Sequence, residues 1–314
     1  MCEFNQTQIM QIRLLGFQGL HKFRVLLFMV FLLTYFIILS GNLLIITLVA
    51  TVDQLKIPMF FLVKHLATSD VLLTTSVLPM TLEVIIKDEV RVSLYGCITQ
   101  LYVIGTCNCS QCFIIALMSY DRYLAICNPL RYSSLMNSHV FSQLIIGLWV
   151  LVIVLMLSEM IVQFQYNYCG LNSLDHYFCD FGPLVKLSTS DTSALMLQDF
   201  VISFVTIFLP FTFIIVTYIC ILVTILKISS MYRQRKAFST CSSHLAVVGA
   251  YYGTLFTVYL APSHESSTNM NKYGSLLYTV VSPLMNPIIY SLRNHEIKRG
   301  LQKMMVTFKT FVRK

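Results

Sequence analysis

Asp121 and Arg122 stand side by side at the end of an apolar run covering roughly residues 97–120. A guanidinium in such a place costs about 2.5–3.5 kcal/mol at a helix centre and less near an interface. An adjacent acid and base can form a charge pair that holds or releases a neighbouring element. A membrane-flanking arginine obeying the positive-inside rule accounts equally well for Arg122 taken alone. Asp70 and Glu159 are carboxylates in other apolar stretches, where an ionisable side chain is a functional candidate; an interfacial, solvated position is the preferred reading of Glu159. Cys109 and Cys112 share a helix face at i, i+3, as do Cys241 and His244, and such thiol and imidazole pairs can bind copper. Packing as small apolar residues is preferred for them, so no metal site is assigned. No HExxH, GxSxG or phosphate-cradling glycine loop occurs, and the isolated Ser, His and Asp residues are too scattered to nominate a catalytic site. An enzyme is not indicated, and no cofactor is implied.

The elements that must position these groups are long and apolar. Of 314 residues 56% are hydrophobic and only 11% charged, against about a quarter charged in a soluble domain. Apolar stretches near 25–50, 58–86, 97–120, 140–163, 196–226, 237–262 and 273–292 each reach the roughly 20 residues that span a bilayer as helix. Polar residues soften the ends of the second, sixth and seventh. The fold class is therefore an all-α membrane protein, a seven-helix bundle in one domain. Residues 1–24 form an outer N-terminus, 25–292 the bundle and 293–314 an inner tail. The absence of an internal repeat and the odd number of spans argue against a secondary transporter.

Residues 1–24 lack a clean signal-peptide core, so the first span serves as an uncleaved anchor. Asn5-Gln6-Thr7 is a glycosylation acceptor suited to an external N-terminus. Of the 22 Lys and Arg residues, this orientation puts fourteen inside and seven outside, with Lys64 within the second span. The net charge of +8 then describes a basic inner face turned toward anionic lipid and a partner protein, not nucleic acid. After the seventh span Ile297, Leu301, Met304, Met305, Phe308 and Val312 recur at helical spacing opposite Lys298, Arg299, Lys303 and Lys309. That pattern predicts an amphipathic helix on the inner membrane surface.

Pro287 removes one hydrogen bond within the seventh span and kinks it. The freed carbonyl needs a donor, and Asn42, Asp70 and Asn286 are polar groups at suitable depth.

Five segments stand in matching order. They are Leu14-Leu-Gly-Phe17, Pro58-Met-Phe-Phe61, Met118-Ser-Tyr-Asp-Arg-Tyr-Leu-Ala-Ile-Cys127, Lys236-Ala-Phe-Ser-Thr-Cys-Ser-Ser-His244 and Asn286-Pro-Ile-Ile-Tyr290. Together with Gly41-Asn42 and Asp70 the chain resembles, nearly end to end, the olfactory receptors, a branch of the rhodopsin-like G-protein-coupled receptors. The resemblance implies a plasma-membrane odorant receptor with its N-terminus outside. Its partners would be a small-molecule odorant, a heterotrimeric G protein of the stimulatory or olfactory class that raises cyclic AMP, membrane lipid and accessory proteins for export. A rhodopsin-like receptor for a non-odorant small molecule outside olfactory tissue is the alternative.

Site residues follow from the same resemblance. Ligand contacts fall on Ile104, Gly105, Asn108 and Cys109 of the third helix, Ile202 and Thr206 of the fifth, and Tyr252, Leu255 and Tyr259 of the sixth. Plain helix packing accounts about as well for any one of them. Asn108 and Tyr259 are the expected hydrogen-bonding anchors. Ile104 stands where amine receptors carry an aspartate, which favours neutral volatile ligands. Coupling and activation fall on Asp121, Arg122, Tyr123, Tyr218, Lys236, Asn286, Pro287 and Tyr290. With no acid among residues 233–236, Asp121 is expected to hold Arg122 at rest. The resemblance pairs Cys97 with Cys179; Cys169 faces Thr189 where a second cysteine is usual and is free or paired atypically. Asp70 resembles the acid of a sodium site, but Gln111 replaces the second acid expected beside it.

Overall fold

The structure, a computed structural model, describes residues 9–170, 172–259, 267–293 and 295–312. Seven long helices carry the chain. The first five run Arg24–Thr51, Pro58–Lys87, Leu94–Cys127, Ser138–Gln163 and Ser193–Leu226, and each is long and apolar enough to cross a bilayer. The sixth, Met231–Tyr259, and the seventh, 267–293, are more polar, in keeping with their soft ends in the sequence. The third helix runs seven residues past the expected end at 120, so Asp121 and Arg122 lie inside a helix. The sixth begins at Met231, a full turn before Lys236. The tail is helical over His295–Val312, as its spacing predicts.

Burial runs opposite to that of a water-soluble bundle. Leu26, Leu33 and Phe36 of the first helix, Ile146 and Val154 of the fourth, and Leu197, Phe200 and Ile219 of the fifth are exposed. Asn42, Asp70, Ser110, Gln111 and Asp121 are fully buried. Apolar flanks facing lipid around a polar seam is what a bilayer demands, because no water is available there to satisfy buried polar groups.

Pro287, inside the seventh helix, explains two residues of the first. Its ring leaves the carbonyl of Pro283, four residues earlier, without its helical donor. Asn42 Nδ2 donates to that oxygen at 3.1 Å. Beside it, a Cβ at Gly41 would come within 3.1 Å of the Pro287 ring, so the first helix approaches only because Gly41 has no side chain. Asn42→Ala is expected to lower thermal stability of the purified protein by about 1–3 kcal/mol, the cost of orphaning a buried acceptor. An unchanged unfolding temperature would show that the Pro283 carbonyl finds another donor.

At the N-terminal end the molecule carries structure that periodicity did not predict, a three-stranded sheet ordered β2-β1-β3. β1 (Gln11–Leu14) pairs antiparallel with β2 (Val90–Ser93) and parallel with β3 (Ser173–Leu174). The segment before the first helix is thereby stitched to the second–third connection and to the long loop after the fourth helix. Gly16 turns the chain out of β1 at a φ of +58°, where a side chain would strike Val84. The turn lays Phe17 on Tyr177, ring centroids 5.3 Å apart and 13° from parallel. Gly16-Phe17 is thus a fixture that docks the N-terminal segment onto the loop.

Candidate functional site

Beneath this cap lies a cavity of about 260 Å³. The third helix supplies Ile104, Gly105, Asn108, Cys109 and Cys112; the fifth supplies Asp199, Ile202, Thr206 and Ile207; the sixth supplies Tyr251 and Leu255; the seventh supplies Tyr278. Two helices bulge at the walls: a π turn over Phe204–Phe208 carries Thr206 and Ile207, and another over Leu277–Val281 carries Tyr278. Such turns widen a helix locally and re-aim side chains, and they recur at functional sites.

Seven of the nine residues expected to contact ligand line this cavity: Ile104, Gly105, Asn108, Cys109, Ile202, Thr206 and Leu255. Tyr252 does not. It points toward the fifth helix, 4.7 Å from the ring of Phe211, and its neighbour Tyr251 faces the cavity instead. One residue along a helix is a rotation of about 100°, so adjacent tyrosines cannot share a face. The Tyr259 side chain lies outside the described residues. Asn108 lines the wall with its Oδ1 lacking a partner.

Glu159 is half-buried and faces the cavity. It lines the cavity with Met156, Met160 and Gln163 of the fourth helix, close enough to Asp199 of the fifth for the two carboxyl groups to interact. Asp180, next to Cys179 in the loop, lines it too. The sequence weighed Glu159 alone and passed over Asp199, Asp180, Gln163 and Tyr251; the one signal for the first two was a carboxylate close to an apolar span.

The cap is held by covalent and polar ties. Cys97 of the third helix is bridged to Cys179 as expected. Gln100 Oε1 accepts the Cys179 N–H at 3.0 Å while its Nε2 donates to the Ser76 carbonyl at 2.6 Å, joining loop, third and second helices. Cys169 is disulfide-bonded and so is not free. His176, with its Nε2 3.1 Å from Ser275 Oγ, is kept neutral by burial, which lowers its pKa below the usual 6.5. Tyr177 reaches Thr279 at 3.3 Å. Lys272 of the seventh helix donates to Asp175 of the loop at 2.5 Å and sits 5.8 Å over the Phe17 ring. Asn5 lies outside the described residues.

From the cavity floor, contacts lead toward the other end. The Tyr251 hydroxyl donates to the Asn108 carbonyl at 2.7 Å and lies 3.5 Å from Cys112 Sγ, tying the sixth helix to the third. A turn lower, Asp70 accepts from Gln111 Nε2 at 2.9 Å and from Asn286 Nδ2 at 2.8 Å. Amide donors therefore occupy both oxygens of the acid that resembles a sodium ligand.

Arg122 is paired with Asp121. Its guanidinium donates to Asp121 Oδ2 through Nη2 at 2.5 Å and Nε at 3.0 Å, and Tyr132 donates to the other carboxylate oxygen at 2.8 Å. Asp121 is 0% and Arg122 14% exposed. Tyr218 and Tyr290, expected to meet a G protein, are only 5% and 1% exposed. Tyr218 instead hydrogen-bonds His244 Nδ1 at 2.5 Å and Tyr290 reaches Met118 Sδ at 3.6 Å, so the end is shut by packing. Cys241 lies buried one turn from His244. Tyr123 stacks on Tyr120 and accepts from Asn128. The Lys236 side chain lies outside the described residues.

A seven-helix bundle with a capped cavity at one end and a buried Asp121–Arg122 pair at the other has the architecture of a G-protein-coupled receptor. A family profile described as olfactory receptor matches residues 31–308. Human olfactory receptor 5G3 is 40% identical over 299 residues, 95% of each chain. Human olfactory receptor 6Y1 is 41% identical over 95% of this chain and 92% of its own, and mouse olfactory receptor 5G29 is 41% identical over 96% of both. The chain belongs to the olfactory receptor family.

Proposed function

We propose that this odorant receptor lies in the plasma membrane with its capped end outside, and that a small volatile ligand enters the cavity between the third, fifth and sixth helices. The ligand's contact with Tyr251 is the step that matters. Tyr251 bonds the third helix through the Asn108 carbonyl, so a ligand pressing on its ring biases the packing of the sixth helix against the third. Movement of the inner end of the sixth helix away from the third and the fifth breaks the Tyr218–His244 bond and exposes Arg122, Tyr218 and Tyr290 to a G protein of the stimulatory or olfactory class, which raises cyclic AMP.

The magnitudes assign part of the work to the G protein. Turning a 1:99 equilibrium to 99:1 takes about a 10⁴-fold preference for the active state. A ligand filling about 260 Å³ has few atoms with which to supply it. Ligand alone therefore gives partial activation, and G protein binding completes the shift. The basic start of the sixth helix, Arg233 and Arg235, is exposed and complements an acidic partner or lipid. The amphipathic tail helix rests on the same inner surface, and export accessory proteins assist delivery.

The observation that carries the reading is the cavity whose floor is Tyr251. Cyclic-AMP output from surface-verified receptor against a broad odorant panel tests it. A concentration-dependent response supports coupling to the stimulatory class; a response seen only through another G-protein class contradicts that part.

A further inference from the structure

The charged side chains that line the cavity are all acidic. Glu159 from the last turns of the fourth helix, Asp199 from the second turn of the fifth, and Asp180 from the loop all line it, and no Lys, Arg or His does so among the described residues. Glu159 and Asp199 line the same cavity from neighbouring helices, close enough for their charges to interact. Two neighbouring carboxylates repel when both are ionised, and a cation placed between them removes that repulsion. A second observation points the same way. Gln163, one helical turn from Glu159, is 2% exposed, faces the same space and has no side-chain hydrogen bond among the described residues. On the same lining Asn108 Oδ1 is buried without a hydrogen-bond partner, which costs free energy until something supplies one.

We propose that the cavity takes a small organic cation, an ammonium group on an apolar body, with Glu159 and Asp199 as its counter-charges and Gln163 as a neutral acceptor. This rests on the reading of the cavity as the ligand site. An ammonium offers three donors and no acceptor, which suits two carboxylates and a carboxamide oxygen. Ile104, Ile202 and Leu255 of the same lining suit a hydrocarbon body. A metal ion is the poorer occupant, since no group of three His, Cys, Asp or Glu side chains is placed to hold one among the described residues. Ile104, standing where amine receptors carry an aspartate, does not exclude amines. The acids come from the fourth and fifth helices instead.

The test is thermal unfolding of purified full-length receptor with n-hexylamine and cyclohexylmethylamine, set against hexan-1-ol and cyclohexylmethanol as neutral isosteres. The amines are expected to stabilise the receptor at concentrations at least about tenfold below those of the alcohols. Glu159→Gln and Asp199→Asn should each remove that advantage and leave the alcohols' effect unchanged. Alcohols matching amines on the parent protein would overturn the proposal without any variant, as would amines acting equally on parent and variants or failing to stabilise at all. Binding here is read without G protein. Failure of the test leaves the receptor assignment standing, and failure of coupling in cells leaves the test intact.

Discussion

Asp121→Asn is expected to raise basal cyclic-AMP output several-fold, and Arg122→Ala to abolish agonist-driven output, each at the surface level of the parent receptor. The Asp121 carboxylate is fully buried and accepts two bonds from Arg122 and one from Tyr132. Hydrogen bonds to a charged group contribute about 1.5–3 kcal/mol each. In this account the Asp121–Arg122 contact belongs to the closed conformation and is surrendered when Arg122 turns to a partner. Losing one such interaction from the closed state alone moves the closed-to-open ratio roughly 10- to 100-fold. A receptor that is about 1% open at rest becomes about 10–50% open. Arg122→Ala acts differently, because it leaves a buried carboxylate uncompensated and removes the group offered to the G protein. Basal signalling unchanged in well-expressed Asp121→Asn would show that packing, chiefly Tyr218 on His244, holds the end closed without the charge pair.

The second large effect is on assembly of the cap. Cys179→Ser and Cys97→Ser are each expected to abolish delivery to the cell surface. The bridge spans a sequence separation of 82 residues, for which the chain-entropy relation gives roughly 4.5 kcal/mol. Its loss also loosens the Gln100 tie to the Cys179 backbone and, through it, the ring cluster of Phe17, His176, Tyr177 and Phe178. Because both cysteines serve one bond, the double variant should be no worse than either single one. Surface staining with an N-terminal epitope reads this directly. Additive losses, or normal staining of one single variant, would contradict the pairing.

The spans were legible because a bilayer imposes a simple rule, about 20 apolar residues per crossing. The link from Asn42 to the seventh helix was legible in kind, since a proline four residues on always frees a carbonyl, although only the fold shows that Asn42 takes it and Asp70 and Asn286 pair with each other. The sheet was not. β1 and β2 are four residues each and β3 two, too short for a periodic signal, and their partners lie far apart in the chain. The resemblance located most of the cavity but picked Tyr252 over Tyr251, because an adjacent position in a helix faces about 100° away. The acidic wall escaped for another reason. Glu159 and Asp199 each read as the edge of an apolar span, and their meaning lies in meeting across two helices.

The most direct measurement is a cyclic-AMP concentration–response with an agonist found in the panel, run on Gly105→Leu beside the parent receptor. A Cβ at Gly105 would come 2.7 Å from Met156 Sδ, and a larger side chain there fills the cavity both residues line. The expected result is at least about a tenfold rise in the half-maximal concentration, with basal output and surface level unchanged, as loss of about 1.4 kcal/mol of ligand binding requires. An unaltered concentration–response at equal surface level would place the ligand elsewhere and contradict the account.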